Sequence, residues 1–229
     1  MNPLHIVVLD HDTLVNRPFD FDFPHTLSSY GTTEAHETLE RIRGADIVIT
    51  NKVVISAQAF AENPQLKLVA VTATGVNNVD VEAAKQNGTA VCNIRAYGNE
   101  SVAEHAFMMM ITLMRNLPAY QRDVAAGLWE NSPFFCHLGA PMRDLNGKTL
   151  AIFGRGNIGK TLATYAQAFK MNVVFAEHKN AQSVRDGYVS FDEAIRSADV
   201  VSLNCPLTPQ TANMIGEAEL QQMKSGAIL

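Results

Sequence analysis

Cysteine, tryptophan, net charge and long apolar runs are all scarce in this 229-residue chain. The three cysteines, Cys92, Cys136 and Cys205, lie far apart with no CxxC spacing, which argues against a disulfide framework and a zinc knuckle and leaves buried or reduced thiols. Charged residues make up 18%, with 18 Lys and Arg against 23 Asp and Glu, and no Lys/Arg cluster forms a basic face. A footprint for nucleic acid or an anionic membrane is therefore missing. The longest apolar stretch, Ala106–Met114, is broken by Thr112 and is too short to span a bilayer. The first residues run into a strand with no basic leader or cleavage site, so a soluble cytoplasmic protein is expected.

The remaining composition is globular, with 47% hydrophobic residues, 14 Gly and 9 Pro. At about 150 residues per domain, the length suggests one large or two modest domains. Up to residue 98, apolar runs alternate with helical patterns: LHIVVLD (4–10), TTEAHETLERIRG (32–44), ADIVIT (45–50), ISAQAFAEN (55–63), LKLVAVTA (66–73), VDVEAAKQNG (79–88) and TAVCNI (89–94). Runs that are apolar throughout are strands buried on both faces of a parallel sheet, and the helices between them are its crossovers. Residues 1–98 thus read as one doubly wound α/β domain, with Gly88 as a helix C-cap.

A longer helix follows. Ser101 to Glu104 reads as a capping box, Pro118 as the helix end, and Met108–Met110 as core. Its apolar residues on nearly all sides predict burial between domains or subunits. An ordered aromatic loop, WENSPFFCHLGAPMRDLNG, precedes a second α/β run through KTLAIF (148–153), NVVFAE (172–177) and DVVSLNC (199–205). The last letters, GAIL, read as a buried strand just beginning, so the chain is expected to be cut short.

Gly154-Arg155-Gly156-Asn157-Ile158-Gly159 matches GxGxxG; it follows a strand, opens a helix, and has Glu177 at the end of the next strand. That context predicts a dinucleotide site, with amides at the helix N-terminus meeting a pyrophosphate. Glu177 is expected to accept from both ribose hydroxyls and to favour NAD over NADP, although His178 and Lys179 beside it leave room for a 2′-phosphate. A methyltransferase fits poorly, because a whole α/β unit precedes the motif. The loop Ala73-Thr74-Gly75-Val76-Asn77-Asn78 ends a buried strand; it is either a cradle of backbone amides for a small carboxylate or an ordinary capped turn. Asp10-His11-Asp12 reads as a strand-end turn rather than a metal site. His105 reads as a helix-face residue, His137 as lacking a catalytic partner, and Trp129 as a packing or interface residue.

The strings ATGVNNVDVEAAKQNGTAVCNI, YGNESVAEHAF, LNGKTLAIFGRGNIGK and LNCPLTPQTANMI resemble the D-isomer-specific 2-hydroxyacid dehydrogenase family along the whole chain. ITNKV and WENSPFFCHL look most like its glycerate dehydrogenase / hydroxypyruvate reductase branch. The resemblance implies a flavodoxin-like substrate domain (1–98), followed by an incomplete Rossmann NAD-binding domain (99–229). It also implies a homodimer built on the long helix and the segment after it. By matching position, Thr74, Gly75 and Val76 would hold the substrate carboxylate and the nicotinamide edge, with Asn51 and Lys52 near the substrate. Asn157 and Ile158 would meet the pyrophosphate, Glu177 the ribose, and Cys205 and Pro206 the adenosine side. The family's catalytic arginine, acid and histidine match no position here, so no catalytic residue is assigned and the chain alone is expected to be inactive. A non-enzymatic NAD-sensing protein of the same family, akin to its corepressors, is the alternative, and a decayed reading frame that aggregates is a third.

Overall fold

A computed structural model describes residues 3–14 and 18–229, so the expectation for the first residues falls partly on Met1 and Asn2, outside the described residues. The chain divides into two compact units, Met1–Tyr97 and Gly98–Leu229. The first carries β1 (Leu4–Val8), β2 (His25–Ser29), α1 (Thr38–Arg41), β3 (Ile47–Thr50), α2 (Ala57–Glu62), β4 (Leu68–Val71), α3 (Val81–Asn87) and β5 (Ala90–Asn93). All pairings are parallel in the order β2-β1-β3-β4-β5, the flavodoxin-like winding. The two-residue side-chain period sorts β1 between two cores. Val7 and Leu9 pack with Val48, Val69 and Phe60 on one face, while Ile6 and Val8 pack with Ile49 and Phe21 on the other. Fully burying each such side chain contributes about 1.5–3 kcal/mol.

Two features of this unit differ from the sequence reading. HTLSS of β2 is an edge strand with a mostly exposed, polar face, so it carries no apolar signal. The long helical pattern over 32–44 condenses to the single turn of α1. Gly88 caps α3 at φ 76°, a left-handed conformation that glycine adopts without a Cβ penalty.

The second unit carries α4 (Asn99–Met114), α5 (Leu117–Ala125), β6 (Thr149–Phe153), α6 (Asn157–Ala168), β7 (Asn172–Ala176), α7 (Phe191–Ser197), β8 (Val200–Leu203) and α8 (Glu217–Gln222). Its parallel sheet has the order β7-β6-β8, and Ile228 bridges to Val200 beside β8. Leu150 and Ile152 face α4 and α6, whereas Ala151 and Phe153 face α7. The expected capping box is displaced: the N-cap of α4 is Gly98, three residues before Ser101, and Ser101 and Glu104 lie inside the helix. Pro118 does not end that helix but opens α5, where its missing N–H costs nothing, and the break comes at Asn116 with φ 51°. Of the three methionines assigned to the core only Met110 is buried; Met108 and Met109 are exposed. No described helix is long and apolar enough to cross a membrane.

Candidate functional site

In the first unit, the loops after β3 and β4 lie side by side at the carboxyl edge of the sheet, where open α/β sheets place ligands. Asp10, 4% exposed at the end of β1, fixes the first of them. Its carboxylate accepts from the Asn51 amide at 2.9 and 3.0 Å and from the Lys52 amide at 2.7 Å. The Asn51 side chain donates to Thr13 Oγ1, whose hydroxyl donates in turn to the Asp10 carbonyl. The second loop is tied by the Asn93 side chain donating to the Thr74 carbonyl at 2.7 Å and by Asn78 donating to the Val53 carbonyl. Among the described residues, no acceptor meets the amides of Thr74, Gly75 and Val76. Thr74 and Gly75 are exposed, while Val76 packs on the core and steadies the turn. Three successive unpartnered N–H groups on a braced loop are donors of the kind that can hold a small carboxylate.

In the second unit, the turn from β6 into α6 is built by its glycines. Gly154 has φ 111°, and a Cβ there would stand 2.5 Å from the Asn204 carbonyl oxygen at the end of β8. A Cβ at Gly159 would collide with the Gly154 carbonyl, so its absence lets the helix close on the strand. At Gly156 a Cβ would meet nothing within 4 Å, leaving an open cradle in front of the first turn of α6. No side chain caps that turn, and the amides of Asn157, Ile158 and Gly159 carry the partial positive charge of a 12-residue helix. Gly154, Arg155, Gly156, Glu177, Cys205 and Pro206 line one cavity of about 710 Å³. This donor set and this space fit a dinucleotide pyrophosphate, and Glu177 lines the same cavity.

Glu177 is 3% exposed. Its Oε1 accepts from the His178 amide at 2.8 Å and from Arg185 Nη2 at 2.7 Å. Its Oε2 accepts from Arg185 Nε at 2.6 Å and from the Arg185 amide at 3.2 Å. The guanidinium, followed by the His178 amide, holds the carboxyl down at about 2, against an ordinary 4.5. The pair therefore adds stability at every pH above about 4.5 and loses it as the pH falls from there toward 2. Thermal melts should show the wild-type advantage over Glu177→Gln intact at pH 6 and gone near pH 2; an advantage that persists unchanged at pH 2 would mean the carboxylate is not held by this pair.

Sequence reasoning missed Arg185, because an irregular segment, with no spacing rule, returns it to a residue eight positions earlier. It missed the Asp10 clamp because a strand-end aspartate has the same local signature as any turn. His137, for which the sequence shows no catalytic partner, meets Asp123 at 2.9 Å, while Cys136 beside it has its carbonyl bound by Ser132. Among the described residues, no group of three or more His, Cys, Asp or Glu converges as a metal site.

Residues 107–229 match the NAD binding domain of D-isomer specific 2-hydroxyacid dehydrogenases. The chain belongs to the D-isomer specific 2-hydroxyacid dehydrogenase family. It is 40% identical to a glycerate dehydrogenase of Methylorubrum extorquens, over 98% of this chain and 70% of that one. It is also 36% identical to a hydroxypyruvate reductase of Blautia hydrogenotrophica, over 86% of this chain and 62% of that one. The solved D-lactate dehydrogenase of Aquifex aeolicus, complexed with NAD and lactic acid, superposes with a TM-score of 0.77 at 27% identity, over 96% of this chain and 66% of that one. As a member of this family the chain carries an NAD-binding Rossmann domain after an α/β unit of flavodoxin-like order, as its motifs and sheets indicate.

Proposed function

We propose that this chain supplies the cofactor cradle and the substrate-carboxylate loop of an NAD-dependent reductase acting on a small 2-keto acid of the hydroxypyruvate or glyoxylate type. The open glycine cradle before α6, in a unit that matches the family's NAD-binding domain, carries the reading. The names of the M. extorquens and B. hydrogenotrophica relatives support the substrate class. Bound nicotinamide would supply the hydride for the 2-carbon. On the protein side, the Asn157 and Ile158 amides hold the pyrophosphate, Cys205 and Pro206 border the adenosine side, and Glu177 fixes the ribose end of the cavity. The Thr74, Gly75 and Val76 amides take the substrate carboxylate, with Asn51 and Lys52 alongside, held by Asp10.

In the same proposal no group of this set is assigned as proton donor to the substrate oxygen, and the 229-residue chain is expected to bind without turnover. A homodimer is part of the same proposal: α4, α5 and the segment after them expose Met108, Leu113, Val124, Trp129, Phe135 (98%) and Leu138 (87%), an apolar surface that a second copy would cover. Calorimetric titration of the purified chain should give one NADH per chain, and sedimentation should give twice 25.0 kDa. NADH oxidation with hydroxypyruvate should stay far below an enzymatic rate, on the order of 1–10³ s⁻¹. Turnover in that range overturns the inactivity, and absence of NADH binding overturns the function.

A further inference from the structure

The carboxylate expected to read the ribose has no acceptor left. An ionised glutamate offers about four lone-pair positions. In Glu177 all four are occupied within the chain, two by Arg185 side-chain N–H groups and two by the His178 and Arg185 amides. A ribose diol could bind Glu177 only by displacing one of these donors. Displacing the guanidinium would leave a carboxylate that is 3% exposed without its counter-ion. The same pairing cancels the negative charge that would repel a 2′-phosphate.

The surroundings are cationic. Arg155, Lys179 and Arg185 line the cavity against Glu177 as the only carboxylate among its lining residues. Lys179 is neutralised from outside the cavity by Glu219 at 2.7 Å. Arg155 makes no ion pair or hydrogen bond among the described residues. Its guanidinium lies 4.8 Å from the Phe175 ring centre and 5.4 Å from that of Tyr188. Arg185 lies 4.2 Å from the same Tyr188 ring, so two guanidiniums share one aromatic platform beside Glu177. Gly187 beside it has φ 74°, and a Cβ there would stand 2.9 Å from Arg155 Nη1. Arg185 uses two side-chain N–H groups on Glu177 and Arg155 uses none, so several of the planar donors suited to phosphate remain on this platform.

We infer that the adenosine end of this cavity accepts a 2′-phosphate, held between Arg155 and Arg185, so that the chain binds NADPH at least as tightly as NADH. Glu177 is then a positioning residue for Arg185 rather than the ribose ligand. The inference rests on the dinucleotide reading proposed above. Calorimetry on the 229-residue chain with NADH, NADPH, 2′,5′-ADP and 5′-AMP tests it without recourse to activity.

The expected result is an NADPH dissociation constant no larger than that of NADH, with 2′,5′-ADP binding about tenfold tighter than 5′-AMP and that margin shrinking as salt is added. Arg155→Ala should weaken NADPH about tenfold and NADH by less than about threefold. Glu177→Gln should weaken NADPH as well, because Arg185 loses its anchor; a ribose-ligand role would instead weaken NADH and spare NADPH. NADH binding about tenfold tighter than NADPH, with Arg155→Ala without effect, overturns the inference and leaves the dinucleotide reading standing. Binding of neither dinucleotide overturns both.

Discussion

Gly154→Ala is expected to destabilise the second unit by about 3 kcal/mol or more and to abolish dinucleotide binding. Two effects combine at this position. The backbone has φ 111°, a region that costs an L-residue about 1–3 kcal/mol. The new methyl would also stand 2.5 Å from the Asn204 oxygen and 2.8 Å from the Cys205 nitrogen, both backbone atoms with no rotamer into which to retreat. Relief requires β6 and β8 to part at their carboxyl ends, and Asn204 is bound there, its amide donating to the Phe153 carbonyl at 2.7 Å. The movement opens the wall of the nucleotide cavity. Gly88→Ala is the control, since its φ of 76° meets no atom within 4 Å and the cost is backbone strain alone, about 1 kcal/mol. Urea denaturation should show the second unit weakened by about 3 kcal/mol in Gly154→Ala and the first by about 1 kcal/mol in Gly88→Ala; a second unit as stable in Gly154→Ala as in the wild type would mean that the β6–β8 turn yields to the methyl without resistance.

These two glycines also mark what could be read in the sequence. Gly88 follows a helical pattern, so local periodicity predicts a cap there, while Gly154 follows a buried strand and opens the GxGxxG motif that predicts a dinucleotide site. The apolar runs gave seven of the parallel strands for the same reason, because strands buried on both faces carry their environment in their composition. β2 escaped, as the edge position lets His25, Thr26, Ser28 and Ser29 stand where a central strand would need apolar side chains. The capping box over Ser101 failed because Gly98 already frees the chain to enter α4, and a favourable cap pattern inside a helix has no orphan amides to satisfy. At the candidate site, spacing located the acid but not its state. Whether Glu177 is open to a ligand depends on Arg185, and that contact is set by the path of residues 178–184, which no period governs.

Asp10→Ala carries the second large effect. The loop after β3 has no helix to hold it, and its two leading amides end on one carboxylate that is 4% exposed. Hydrogen bonds to a charged acceptor contribute about 1.5–3 kcal/mol each, and alanine removes both while leaving the Asn51 and Lys52 amides to find water at the sheet edge. A loss of about 2–4 kcal/mol follows, concentrated in this loop rather than spread through the unit, because the amides that lose their acceptor belong to it; the link from the Asn51 side chain through Thr13 ends on the Asp10 backbone carbonyl and survives. Hydrogen exchange should accelerate at the Asn51 and Lys52 amides by about a hundredfold, while the amides of β4 retain most of their protection. Asp10→Asn should recover part of the loss, since its single carbonyl oxygen can still accept one amide. Exchange at Asn51 and Lys52 as slow in Asp10→Ala as in the wild type would show that the loop is held by the sheet and not by Asp10. If the acceleration is found, binding of a small 2-keto acid by the same variant should weaken, because the neighbouring Thr74–Val76 amides would then face a loop that no longer keeps one position.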